Sequence, residues 1–164
     1  MSIIKRSNPL NLQYRVCIVT SASTALGVVI CKTLLKANAL VLGLDSRPKH
    51  DSLNAGLGTH FQFEQCNLKD DGVAGKLIAA AREKFGVESL DVLVNVAEEG
   101  EEADLEGLRN LTEVVGEVMD RERSGSIVNI IVDAPSAEQS QYNTVVGLAP
   151  VEPVASDSPC RKTY

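Results

Sequence analysis

The chain has 164 residues, 44% hydrophobic and 23% charged, with a formal net charge of −6. That length fits one domain with a real core, and the acidic balance argues against nucleic acid as a partner, since phosphate binding needs a basic patch. No apolar run approaches the roughly 18 residues of a membrane span, and residues 1–10 hold Lys5 and Arg6 without the apolar stretch of a secretory signal.

Residues 15–20, RVCIVT, form an apolar run of strand length, the pattern of a strand buried on both faces. Residues 25–38 carry apolar side chains at 26, 29, 30, 34 and 35 with Lys32 and Lys36 turned away, which is helical spacing. A strand over 40–44, a polar connector with Pro48 and a strand over 60–65 follow. Residues 70–85 predict a helix opened by acids and closed before Gly86. A strand over 91–96, a helix over 103–123 and a fifth strand over 126–132 complete the series. Strands alternating with helices imply an α/β doubly wound parallel sheet with right-handed crossovers. Residues 1–133 therefore read as the domain. Residues 134–164 hold four of the six prolines and read as an irregular tail, with a short apolar patch at 145–149.

The first strand–turn–helix reads VTSASTALG at 19–27. In a nucleotide-binding α/β fold such a turn meets a diphosphate through backbone N–H groups and a helix N-terminus. Asp45 ends the second strand, 18 residues after Gly27, near the usual offset for an acid that hydrogen-bonds a ribose hydroxyl. Two other readings stay open: Gly27 as a packing glycine, and Asp45 as a strand-end turn acid.

Here the sequence resembles the short-chain dehydrogenase/reductase family and its Rossmann-like sheet, with strand order 3-2-1-4-5. The family turn TGxxxGxG matches Thr20, Ser21, Ala25 and Gly27, so one glycine of three remains. The family's Asp-hydrophobic pair after strand three, which contacts adenine, reads Asn67-Leu68. Its NNAG after strand four reads Asn95-Val96-Ala97-Glu98, and its GxIVNISS on strand five reads GSIVNIIV at 125–132. The four motifs occur in order over about residues 13–133. The resemblance implies NAD(P) as cofactor, with Thr20, Ser21, Ala25, Gly27, Asp45, Asn67, Leu68 and Asn95 around it. Asp45 favours NAD over NADP because a carboxylate repels a 2′-phosphate, although Arg47 is close by. Ser21, Ala25 and five acids within 98–104 predict weak binding. The acids themselves read either as a solvated loop at a helix start or as a divalent-cation site.

The family's chemistry, as the resemblance implies, uses a Tyr as acid–base, a Lys four residues later to lower its pKa, a Ser to orient the carbonyl and a relay Asn. QYNTVVGLAP at 141–150 resembles the family's YxxxK segment. Tyr142 falls on the Tyr, Val146 on the Lys and Val132 on the Ser. Tyr142 is then the one surviving catalytic candidate, or else an ordinary tyrosine. Cys17 and Cys31 lie in apolar runs and read as core residues. Cys66 and Cys160 form no CxxC pair, and none of the four cysteines has metal-ligand spacing with His50 or His60. A reduced, cytoplasmic setting is expected. The family's chain also runs on for about 80–100 residues that have no counterpart here. Three functions stay open: a binding module or decayed fragment without hydride transfer, a cofactor-independent cyclase or isomerase acting on a small molecule, and an NAD(P)-dependent oxidoreductase completed by a partner chain. Strand 126–132 has no charged residue, so pairing between copies through that edge is expected.

Overall fold

The computed structural model describes residues 11–54, 57–98, 105–132 and 145–147. The chain runs β1 (Val16–Val19), α1 (Ala25–Lys36), β2 (Leu40–Asp45), β3 (Phe61–Gln65), α2 (Val73–Phe85), β4 (Val92–Glu98), α3 (Leu105–Glu122), β5 (Ser126–Val132) and β6 (Val145–Gly147), with two short 3-10 turns between β2 and β3. The sheet order is β3-β2-β1-β4-β5-β6. The first five strands are parallel and keep the order 3-2-1-4-5.

The strands alternate their side chains between two cores, as the two-residue strand period requires. Val16 and Ile18 of β1 pack with Leu42, Leu44 and Leu93 under α2 and α3. Cys17 and Val19 pack with Val41, Val94 and Val96 under α1. Each of these valines and leucines contributes about 2 kcal/mol when fully buried. β1 is buried at every position, whereas β5 is at most half-buried and leaves Ile131 57% exposed.

β6 was not expected. It pairs antiparallel with β5, placing Val145 opposite Val132 and Val146 opposite Ile131. The edge predicted along 126–132 is thereby covered at residues 130–132, and residues 126–129 keep it open among the described residues. An apolar strand edge with unpaired N–H and C=O groups takes up whatever extended segment lies in reach. Here that segment comes from the chain's own apolar patch at 145–149. The rest of 133–164, Tyr142 included, lies outside the described residues.

At the amino edge of the sheet, Asp91 ties three strand starts together. Its carboxylate accepts the Val16 N–H at 2.9 Å and the Arg15 guanidinium at 2.6 Å. Its backbone N–H donates to the Val16 carbonyl, and its carbonyl accepts the Ser126 N–H. Asp91 is 6% exposed.

Candidate functional site

The carboxyl ends of β1, β2 and β4 meet at the turn that joins β1 to α1, the edge where α/β sheets bind ligands. Thr20 is buried. Its N–H donates to the Val94 carbonyl at 3.0 Å, and its Oγ1 accepts the Val96 N–H at 2.9 Å. Ser21 follows at φ 50°, a left-handed conformation that glycine adopts freely and serine does not. Its Oγ donates to the Val96 carbonyl at 2.9 Å. The turn thus keeps a glycine-like shape with a serine in it, held by β4.

Thr24 caps α1. Its Oγ1 accepts the Gly27 N–H and donates to the Ser21 carbonyl. A Cβ on Gly27 would collide with that same carbonyl oxygen, so Gly27 lets the helix close on the turn. The N–H groups of the exposed Ala25 and of Leu26, at the helix start, have no protein acceptor among the described residues. First-turn N–H groups of this kind, with the positive end of the helix dipole, attract an anion.

Asp45, 6% exposed, closes the turn from the β2 side. Its Oδ2 accepts the Ser23 N–H at 2.9 Å, and its Oδ1 accepts the Arg47 N–H at 2.9 Å and Nε at 3.2 Å. The Ser23 hydroxyl donates to the Pro48 carbonyl. Asp45 is therefore a turn acid here. A carboxylate has about four lone-pair sites, so its three internal bonds leave room for one further donor.

Asn67 is exposed and bends back to accept the Lys69 N–H at 3.0 Å. Leu68 is buried against α3, where a Cβ on Gly107 would lie 2.6 Å from the Leu68 Cβ. The Leu68 N–H has no protein acceptor among the described residues. On β4, Asn95 is 5% exposed. Its Nδ2 donates to Thr112 Oγ1 and to Asn129 Oδ1, both at 2.9 Å, and its Oδ1 is buried without a partner among the described residues. Thr112 in turn donates to the Leu108 carbonyl.

The structure therefore brings Thr20, Ser21, Ala25 and Gly27 together at the β1–α1 corner, with Asp45 bonded to it from the end of β2, Leu68 and Asn95 on the neighbouring elements and the Asn67 side chain folded onto its own loop. Residues 99–104 of the acidic run lie outside the described residues. Among the described residues, no three His, Cys, Asp or Glu side chains stand together as a metal site. Cys17 and Cys31 are core residues, and burial pushes both thiols up to about 12. His50 caps the 3-10 turn Asp51–Leu53, its Nδ1 accepting the Ser52 N–H.

Sequence reasoning passed over Thr24, Ser23 and Thr112. Thr24 stands three residues before a glycine at a helix start, a readable cap signature. Thr112 is a hydroxyl on the inner side of an otherwise apolar helix stripe. Ser23 carried no readable signal, since its role depends on where β2 ends.

A family model described as short chain dehydrogenase matches residues 15–144. Among curated proteins, a short chain dehydrogenase, ple7, of Rhodocybe pseudopiperita is 28% identical over 137 residues, covering 73% of this chain and 53% of that protein. Two solved structures share the fold at 20% identity. The Cj0485 dehydrogenase has a TM-score of 0.59 over 73% of this chain and 52% of its own. The protein gox2181 has a TM-score of 0.61 over 74% and 55%. The chain thus spans about half the length of the relatives it matches.

Proposed function

The chain belongs to the short-chain dehydrogenase family, and from that premise we propose that it is a dinucleotide-binding module that holds NAD(P) weakly and does not itself reduce a carbonyl. The residues at the carboxyl edge fit the cofactor. Ala25 and Leu26 N–H face a diphosphate, Leu68 N–H is left over for the adenine edge, and Asp45 keeps one acceptor site for a ribose hydroxyl. Asp45 makes NAD the preferred form, and the Arg47 guanidinium 3.2 Å away narrows that preference. Ser21 and Ala25 stand where the family's turn has glycines, and with the acids of 98–104 they set an expected Kd no better than about 0.1 mM, or roughly −5.5 kcal/mol.

When bound, a nicotinamide dinucleotide supplies or accepts a hydride at a carbon. The chain must supply the matching proton and hold the oxygen. The observation that carries the proposal is Val146. At the family's lysine position it lies in β6, paired with Ile131, extended and without a charge. A tyrosine with an ordinary pKa of about 10 is a poor acid–base near neutrality unless a cation lowers it. Val132, at the serine position, has no donor for a developing oxyanion, whose loss typically costs about 3 kcal/mol.

The test is a dinucleotide titration followed by thermal shift, since a ligand that binds only the native state raises its stability. NADH and NADPH consumption is then measured against a broad carbonyl panel, with Tyr142→Phe as control. Saturable weak binding with no turnover supports the proposal. Turnover that vanishes in Tyr142→Phe would overturn it in favour of an active reductase.

A further inference from the structure

We propose a second ligand site, at the opposite edge of the sheet, for a small flat-ring molecule that carries a phosphate group. The inference does not depend on the dinucleotide reading. Two adjoining concavities of about 320 and 280 Å³ share His60 as a wall, each of a size to hold a ligand fragment. They lie where the chain enters β1, β2 and β3, because Tyr14, Asn38 and His60 each stand one or two residues before a strand.

The larger concavity is lined by Lys32, Lys36 and His60 over two leucines. No described residue in either wall is acidic, although acids outnumber bases 22 to 16 in the chain. Lys32 and Lys36 stand one helical turn apart, and like charges at that spacing repel. Neither has a carboxylate partner among the described residues. The carbonyls of Thr33, Leu34 and Leu35 accept the N–H groups of Ala37, Asn38 and Ala39. A phosphate between the two ammonium groups would relieve the repulsion.

The smaller concavity is lined by Tyr14 and Asn38, both at positive φ, 67° and 68°. Asn38 is an ordinary left-handed helix cap. Tyr14 is not ordinary. The Arg15 N–H donates to the Leu12 carbonyl, which puts Tyr14 at the third position of a tight turn where glycine or asparagine fits. A bulky residue there is a backbone outlier. The residue is 74% exposed, so burial does not repay the strain. Strained residues of this kind concentrate at binding sites, and an exposed aromatic face at a cleft mouth stacks on a flat ring. The Leu12 N–H bonds the Ala37 carbonyl at 2.7 Å and fixes the two turns to one another, so the walls are pre-formed.

The probes are phenyl phosphate and inorganic phosphate, titrated into the full chain and followed by amide chemical shifts. Saturable shifts are expected at Tyr14, Asn38, Lys36 and His60 with both probes, tighter for phenyl phosphate. The pair Lys32→Gln and Lys36→Gln should weaken both at least tenfold. Tyr14→Gly, which suits the turn and should raise the melting temperature, is expected to weaken phenyl phosphate about fivefold and leave inorganic phosphate unchanged. Shifts confined to residues 21–27 and 45, or no saturation with either probe, would overturn the site. Equal loss of both probes in Tyr14→Gly would overturn the role given to the ring.

Discussion

The two edges of this sheet are fastened by side chains of similar size and burial, Asp91 at the amino edge and Asn95 four residues later toward the carboxyl edge. The Asp91 carboxylate has a donor on each oxygen and its backbone N–H and carbonyl are both bonded. The Asn95 amide spends its nitrogen twice and leaves its oxygen buried and without a partner among the described residues. A fully satisfied buried group supports stability, whereas a half-satisfied one marks a place where stability is not what the residue serves. The amino edge of β4 is built to hold strands together, and its carboxyl edge retains polar capacity beside the site.

The sharpest way to break this contrast is to remove each side chain. Asp91→Ala leaves the buried Val16 N–H without an acceptor and is expected to cost about 3 kcal/mol, read as a lower urea midpoint at unchanged slope. A cost below 1 kcal/mol would mean that Arg15 and water make good the loss.

A second effect sharpens the picture of the core next to Asp91. The Cys17 and Cys31 thiols are raised mainly by burial, and the nearby Asp91 carboxylate adds to the shift of Cys17. The native state keeps both protons up to about pH 12, while the unfolded chain releases them from about 9. The stabilisation is therefore whole below pH 9 and is lost as pH rises toward 12. At pH 10 the loss is expected to be about 1 kcal/mol per thiol. Chemical denaturation from pH 7 to 11 checks it, and a flat profile would mean that the thiols ionise within the fold.

Asn95→Leu is expected to have the smallest effect, within about 1 kcal/mol of the parent chain, because two hydrogen bonds and one unsatisfied oxygen disappear together. Asn129 is exposed and turns to water, and Thr112 keeps its bond to Leu108. A loss as large as that of Asp91→Ala would show that the lone oxygen holds a buried water.

The fold was legible because its signals are local. RVCIVT and SIVNIIV announce strands by composition, and the stripe at 105, 108, 111, 115, 118 and 119 announces α3 by period, although Leu105 at its start is exposed. β6 was not legible. Three residues carry no period, and Val145–Gly147 is a strand only because β5 offers it an edge. At the site, the strand–turn–helix spacing over 19–27 was legible because it is local too. The roles of Asp45 and Asn95 could not be read. The partners of Asp45 include Ser23, from a turn 22 residues earlier, and those of Asn95 lie 17 and 34 residues onward. No pattern in the sequence reports such distances.

The contact of Gly107 with Leu68 also bears on how this region changes over evolutionary time. α3 is positioned in its first turn by a close approach to the segment after β3, since a Cβ at 107 would collide with Leu68. Substitutions at 68 and 107 should therefore be purged, because a side chain at 107 would push that first turn away and carry Thr112 from Asn95 with it.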